Sequence, residues 1–342
     1  MAASTGLTTW PPRWPQPPPE SPGMTPLPDL LARAGANPEQ LHWQSWTALA
    51  PGPALIVLGA VHGNEVCGAH AIARTIADLH AGRLQVARGR LTLVPVANPL
   101  AFRQATRGGE RNLNRHFVPR ADPRDYEDRV TARLAPLLAA HEVLLDLHSF
   151  HTAGEPFAMV GPRDNPGPRE PFARAAEELA LARALGAPQV VQGWLEVYDQ
   201  AARARGELPG DDGIGTNEFM RSQGGYAVTL ECGFHDDPRA IDVAAQAIRG
   251  ALAHLGMAEV APPPRQRAPV ARLREVVLRE SPGDVLARDW RSFDPVEAGT
   301  VIGVRADGRP VRVERAGCVL FPFPESQVDQ EWFYLAEIDA AA

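Results

Sequence analysis

The chain has 342 residues, 44% of them hydrophobic and 22% charged, which suits a globular protein with one large core and room for a smaller unit. With 34 basic against 41 acidic residues the net charge is −7, and a pI near 5.8 offers no overall footprint for nucleic acid or an anionic membrane. The cysteines, Cys67, Cys232 and Cys318, are odd in number and far apart, which excludes a disulfide framework and a CxxC metal site and points to free thiols in a cytoplasmic protein.

Residues 1–28 lack the apolar core of a signal peptide and carry Trp10-Pro11-Pro12, Trp14-Pro15 and Pro17-Pro18-Pro19. Such a stretch favours extended, solvated backbone and is expected to be a disordered leader, with a proline-recognition ligand as its functional alternative. No apolar run approaches the roughly 20 residues needed to span a bilayer.

A catalytic unit is expected over 29–260. Its first buried strand, Pro53 to Ala60, runs into Val61-His62-Gly63-Asn64-Glu65. A histidine and a glutamate at the end of a buried strand cost free energy unless paired, and a metal ion is one such partner. Gly63 and Asn64 are expected to shape the turn through their tolerance of unusual backbone angles. A helix is predicted over Val66 to Ala81, a strand over Arg90 to Ala97 and a helix over Tyr126 to Ala140. The strand Glu142 to His148 again ends on a histidine, with Asp146 two residues before it on the same face. After a helix over Glu170 to Leu185, the strand Tyr226 to Gly233 sets a lone carboxylate, Glu231, among apolar neighbours. A last helix, Arg239 to Leu255, follows Asp236-Asp237-Pro238.

Strands alternating with helices imply α/β layers around a mixed, mostly parallel sheet. Residues 261–269 read as a proline-rich linker, and 270–342 as a small C-terminal all-β domain with segments at Val270 to Arg279, Thr300 to Val304, Pro310 to Arg315, Cys318 to Phe323 and Trp332 to Ile338.

Ligands bind at the ends of central strands in open α/β sheets, so His62, Glu65 and His148 are expected to converge. Two His and one Glu are a ligand set of catalytic zinc that leaves a position for water. Asp146 suits an orienting partner for a ligand histidine. A buried carboxylate has a raised pKa, which makes Glu231 the candidate general base.

His62-Gly63-Asn64-Glu65, Asn112-Leu113-Asn114-Arg115, Asp146-Leu147-His148 and Leu230-Glu231-Cys232-Gly233, in this order, resemble the succinylglutamate desuccinylase and aspartoacylase family, whose fold is that of the zinc carboxypeptidases. The resemblance implies one zinc per chain, held by His62, Glu65 and His148, with Glu231 as proton shuttle. It assigns Asn114 and Arg115 to a substrate carboxylate, Arg107 to the scissile carbonyl and Arg221 to substrate binding. The implied reaction is hydrolysis of a small anionic N-acyl amino acid, and guanidinium groups suit such an anion because they hold carboxylates through paired hydrogen bonds. The four tyrosines, Tyr126, Tyr198, Tyr226 and Tyr334, fall on no matching motif position, and Asn217 stands where one is expected.

Two further readings stand beside this one. A zinc carboxypeptidase acting on peptides uses the same metal and arginine chemistry; a non-catalytic zinc protein recruiting partners through the leader would not need Glu231. His151 and His235 are expected to be hydrogen-bonded or exposed, and Cys67 and Cys232 to be buried bystanders. Neither nucleic acid nor membrane is expected as a partner, and the sequence leaves a homo-oligomer open.

Overall fold

The computed structural model describes Leu31 and residues 36–339 except 168–169, 205, 207, 209 and 265–267. The proline-rich leader lies outside the described residues, as does the middle of the linker.

The elements in chain order are β1 (Gln44–Thr47), β2 (Ala54–Gly59), α1 (Cys67–His80), β3 (Arg90–Val94), α2 (Pro99–Gln104), α3 (Tyr126–Ala139), β4 (Val143–Phe150), β5 (Phe157–Met159), α4 (Ala175–Ala184), β6 (Gln189–Gln192), α5 (Trp194–Ala204), α6 (Thr216–Ser222), β7 (Tyr226–Phe234) and α7 (Arg239–His254). From residue 270 the described elements are strands: β8 (Val270–Leu278), β9 (Val285–Leu286), β10 (Pro295–Val296), β11 (Val301–Val304), β12 (Pro310–Arg312), β13 (Gly317–Leu320) and β14 (Glu331–Asp339).

Strands β3, β2, β4 and β7 run parallel at the heart of one sheet ordered β1-β3-β2-β4-β7-β5-β6-β8-β14-β13-β10. Antiparallel β1 closes one edge, β5 pairs antiparallel with β7, and β6 pairs in parallel with both β5 and β8. The C-terminal strands β8, β14, β13 and β10 thus continue the central sheet, while β12-β11-β9 form a small antiparallel sheet of their own.

Alternation along the parallel strands explains where the polar residues go. Leu55 and Val57 of β2, Val143, Leu145 and Leu147 of β4, and Val228, Leu230 and Cys232 of β7 face one side, under α1, α4 and α7. These side chains are almost fully buried, and each larger aliphatic contributes about 1.5–3 kcal/mol of transfer free energy. The opposite face carries Ile56, Leu58, Leu144 and Ala227 near the strand starts, packed on α3 and Met220 of α6. Further along the same face the alternate positions are Asp146 and His148 on β4 and Thr229 and Glu231 on β7, and the cross-strand register sets His148 beside Glu231. One face therefore turns from apolar to chemically active over a few residues.

Local signals account for the helices. Asp125 caps α3 by accepting the Asp128 N–H at 2.7 Å, with Glu127 and Asp128 favourably placed in the first turn. Asn98 caps α2 through the Ala101 N–H, with Pro99 in the first turn.

Candidate metal centre and active site

Beyond β2 the chain turns sharply, closed by the Glu65 N–H on the His62 carbonyl at 3.1 Å. The left-handed residue of this turn is Ala60 (φ 47°), not Gly63. Gly63 is required for space instead: a Cβ there would sit 1.9 Å from the Ala101 carbonyl carbon, so the turn rests directly on the backbone of α2. The expectation that Gly63 serves through backbone freedom is corrected to one of close approach.

The turn brings His62 and Glu65 to His148. His62 Nδ1 lies 2.9 Å from Glu65 Oε1, His148 Nδ1 lies 2.8 Å from Glu65 Oε2, and the two Nδ1 atoms are 3.2 Å apart. All three side chains are buried. Outer partners decide what these atoms present. Asn112 Oδ1 accepts the Asn114 N–H at 2.8 Å, which fixes it as an oxygen, and it lies 2.9 Å from His62 Nε2. Nε2 therefore carries the proton, and Nδ1 turns a lone pair inward. On the other side, Asp146 Oδ1 stands 3.1 Å from His148 Nε2, an ion-pair contact and not an aligned hydrogen bond.

Lone pairs and a carboxylate facing one another repel unless a positive charge lies among them. Burial lowers the His62 pKa to about 4, with Arg107 adding to the effect. Burial also opposes charge on His148, yet Asp146 and Glu65 outweigh it and hold that imidazolium well above its usual range. The cluster thus calls for positive charge at its centre, which a shared proton or a divalent cation can supply. Its ligand atoms lie within 4.8 Å of one another, and two imidazoles with a carboxylate fit zinc.

Glu231 stands beside this cluster, 8% exposed, and its Oε2 has no hydrogen-bond partner among the described residues. Burial, reinforced by the Glu65 carboxylate, pushes its pKa up to about 8. Arg107, half exposed, donates from Nη1 to Glu65 Oε1 at 2.8 Å. The loop behind Arg107 is held by Glu127, whose buried carboxylate accepts the N–H groups of Gly109, Glu110 and Arg111 and the Asn98 amide. Nothing in the local sequence pattern marks Glu127 for this task.

Asn114 and Arg115 also reach the pocket. Asn114 Oδ1 accepts the Thr216 N–H at 2.9 Å at the start of α6, and Thr216 Oγ1 donates to Asp146 Oδ2 at 2.6 Å. Arg115 lies over the rings of Trp194 and Tyr198 at 5.4 and 5.0 Å. Its Nη2 donates to the Tyr198 hydroxyl at 2.7 Å and to Glu331 Oε1 at 3.0 Å. Tyr198 also donates to Glu331 and meets the Tyr334 hydroxyl at 2.8 Å. Burial works against ionisation of Glu331, but Arg115 and Tyr198 hold its pKa down at about 2. Two of the four tyrosines therefore do approach the site, one from α5 and one from β14.

Arg221 is held differently from the other arginines. It lines the pocket, but its five N–H groups are already engaged: Nε and Nη2 on Glu178 at 3.0 and 3.1 Å, Nη1 on Glu170 and Glu218 at 2.8 and 3.2 Å, and Nη2 also on the Ala227 carbonyl at 3.2 Å. In this arrangement no donor of Arg221 is left to offer, so direct binding of a substrate carboxylate there would have to displace one of these partners. His235 Nδ1 meets Ser149 Oγ at 2.8 Å, and the His151 ring stacks on Phe323 with centroids 3.6 Å apart. The three cysteines are free and buried. The cavity at the triad is small, about 50 Å³, and is lined by His62, Arg107, His148, Asn217, Glu218 and Glu231 among others.

No described helix is long and apolar enough to cross a membrane. Comparison with curated proteins found no match. Among solved structures, the chain is similar to a succinylglutamate desuccinylase/aspartoacylase from Rhodobacter sphaeroides, at 20% identity and TM-score 0.66 over 88% of this chain and 89% of that one. It is also similar to the product-bound ectoine utilization protein EutE (DoeB) from Ruegeria pomeroyi, at 23% identity and TM-score 0.65 over 86% and 88%. A succinylglutamate desuccinylase from Vibrio cholerae shares 16% identity and TM-score 0.64 over 88% and 92%. At these identities the likeness establishes the fold. The model of the succinylglutamate desuccinylase/aspartoacylase catalytic domain matches residues 51–255, the stretch that holds the triad, Glu231 and the intervening arginines, and the chain belongs to that family.

Proposed function

We propose that the chain is a zinc-dependent hydrolase that cleaves the amide bond of a small N-acyl amino acid, releasing a carboxylic acid and the free amine. The observation that carries this reading is the convergence of the His62 and His148 Nδ1 atoms and the Glu65 carboxylate beside a buried, unpartnered Glu231 oxygen. Family membership supports hydrolytic deacylation in general.

His62, Glu65 and His148 would hold one zinc ion per chain, with Asn112 setting the His62 tautomer and Asp146 placed against the His148 ring. Bound zinc supplies Lewis acidity toward a carbonyl oxygen and toward water. Glu231 takes a proton from the attacking water as the new C–O bond forms and delivers it to the nitrogen as the C–N bond breaks, a task that suits a carboxyl group raised toward neutral pH. Arg107, half exposed and lining the pocket, donates to the carbonyl oxygen as negative charge develops there. Arg115 and Asn114 lie on the side where the substrate α-carboxylate is received.

The test is metal analysis of the purified chain, followed by amine release from a panel of N-acetyl and N-succinyl amino acids and of short peptides. One zinc per chain, with acyl amino acids cleaved in preference to peptides and activity lost in Glu231→Gln, is the expected result. Zinc-free protein with full activity, or unimpaired Glu231→Gln, would overturn the reading; preference for peptides would favour the carboxypeptidase alternative.

A further inference from the structure

Among the described residues, Arg221 is surrounded by more carboxylates than it can neutralise. Glu178 covers one edge of the guanidinium with two hydrogen bonds, and its remaining capacity is taken by the N–H groups of Gly161 and Ala227. That pair is neutral by itself. Glu170 and Glu218 then share the last nitrogen, so among the described residues three carboxylates meet one guanidinium. Burial and the nearby Glu218 push Glu170 up to about 7 despite the pull of Arg221, as expected of a crowded acidic site.

This acidic wall lies on a route out of the triad pocket. Val160, Trp194, Glu218 and Arg221 line both that pocket and a narrow passage of about 20 Å³. The passage shares Glu170 and Leu195 with an outer groove of about 400 Å³. An independent feature points the same way. Asn217, 8% exposed and lining the triad pocket, gives its Nδ2 to Thr229 Oγ1 at 2.7 Å, and its Oδ1 has no partner among the described residues. A buried acceptor left unsatisfied beside the Glu218 carboxylate is complementary to a donor that carries positive charge.

We propose that this wall receives a cationic group on the amine half of the substrate, so that the preferred substrate is an N-acyl basic amino acid whose side-chain ammonium or guanidinium engages Glu170, Glu218 and Asn217 Oδ1. The α-carboxylate stays with Asn114 and Arg115, which line the same pocket. The inference rests on the deacylase reading for the reaction, but the charge selection is a property of the pocket alone. Among the described residues, an acidic side chain entering the passage would face Glu170, Glu196 and Glu218, with Arg221 already engaged, which is discrimination by repulsion as well as by attraction.

The experiment uses the full, zinc-loaded chain. Titration calorimetry with L-lysine, L-ornithine, L-norleucine and L-glutamate reads selection without chemistry. Lysine or ornithine is expected to bind at least about tenfold more tightly than norleucine, the scale of one charge-assisted hydrogen bond, and glutamate more weakly than norleucine. Glutamate binding as tightly as the basic amino acids overturns the proposal. The kcat/KM values of the N-acetyl derivatives separate the two readings: cleavage that favours the acidic or neutral derivatives leaves deacylation standing and removes the cation receptor. Selective binding of basic amino acids with no cleavage of any derivative does the reverse. Glu218→Gln and Glu170→Gln should bring the lysine-to-norleucine ratio toward one. Should either fail to fold, Asn217→Asp is expected to raise that ratio and Asn217→Leu to lower it, and a ratio unmoved by both counts against the proposal.

Discussion

Removing the Glu127 carboxylate should loosen the loop that carries Arg107 and Asn112 without touching a ligand. Its Oε1 accepts Asn98 Nδ2 at 3.0 Å and the Gly109 N–H at 2.8 Å, and its Oε2 accepts the N–H groups of Glu110 and Arg111 at 3.2 and 3.1 Å. A hydrogen bond to a charged group contributes about 1.5–3 kcal/mol, and an orphaned buried donor costs about 1–3 kcal/mol. Glu110 is exposed and Gly109 and Arg111 are half-buried, so water recovers part of the loss. Glu127→Ala is therefore expected to cost about 3 kcal/mol. Glu127→Gln is the sharper case. Whichever way its amide sits, its NH₂ group faces two donors, and the expected cost is still about 2 kcal/mol despite near-identical shape. Urea unfolding at constant m-value measures both. Because Asn112 orients His62, zinc affinity measured by chelator competition should fall about tenfold or more in either variant. A Glu127→Gln protein within about 0.5 kcal/mol of the parent, with unchanged zinc affinity, would refute the idea that this carboxylate organises the loop.

Asn112→Leu removes the acceptor from His62 Nε2 and should weaken zinc by about 10–100-fold with little loss of stability, read by chelator competition; unchanged affinity would mean the tautomer is set elsewhere. Glu231→Gln should keep one zinc per chain while kcat falls by about 10²–10⁴. Arg221→Leu leaves Glu170, Glu178 and Glu218 without their cation and is expected to destabilise by about 3–5 kcal/mol in urea; a solvated, substrate-facing arginine would show almost nothing. In the C-terminal strands, burial tends to raise the Asp284 pKa, but hydrogen bonds from Arg305 and from the N–H groups of Glu280, Ala306 and Ser281 hold it near 2. Because the folded pKa is depressed, its stabilisation is present above about pH 4 and is lost as pH falls toward 2. Asp284→Asn should accordingly lower Tm at neutral pH and converge with the parent near pH 2.

The parallel strands and their flanking helices were legible because each is long enough to show a period and ends on a distinctive residue. The triad was legible for the same reason: HxxE and DLH sit at ends of strands whose neighbours are strongly apolar. Strand β5 has three residues and β6 four, too few for periodicity, and α6 has seven. The partners of Arg221 were hidden for another reason. Glu178 and Glu170 lie 43 and 51 positions away, and only the folded chain puts them on the same guanidinium. Glu331, 216 positions from Arg115, is beyond any argument from spacing.

The hydrogen bonding of β6 to β8 bears on how this chain can be cut. Residues 51–255 define the recognised catalytic region, yet a fragment ending at the linker would leave β6 as a bare edge with Val190 and Val191 uncovered, open to pairing with other chains. It would also strip Arg115 of Glu331 and Tyr198 of Tyr334. The boundary drawn by family likeness and the boundary of the smallest soluble piece are different lines, and only a fragment that keeps β8 and β14 respects the second.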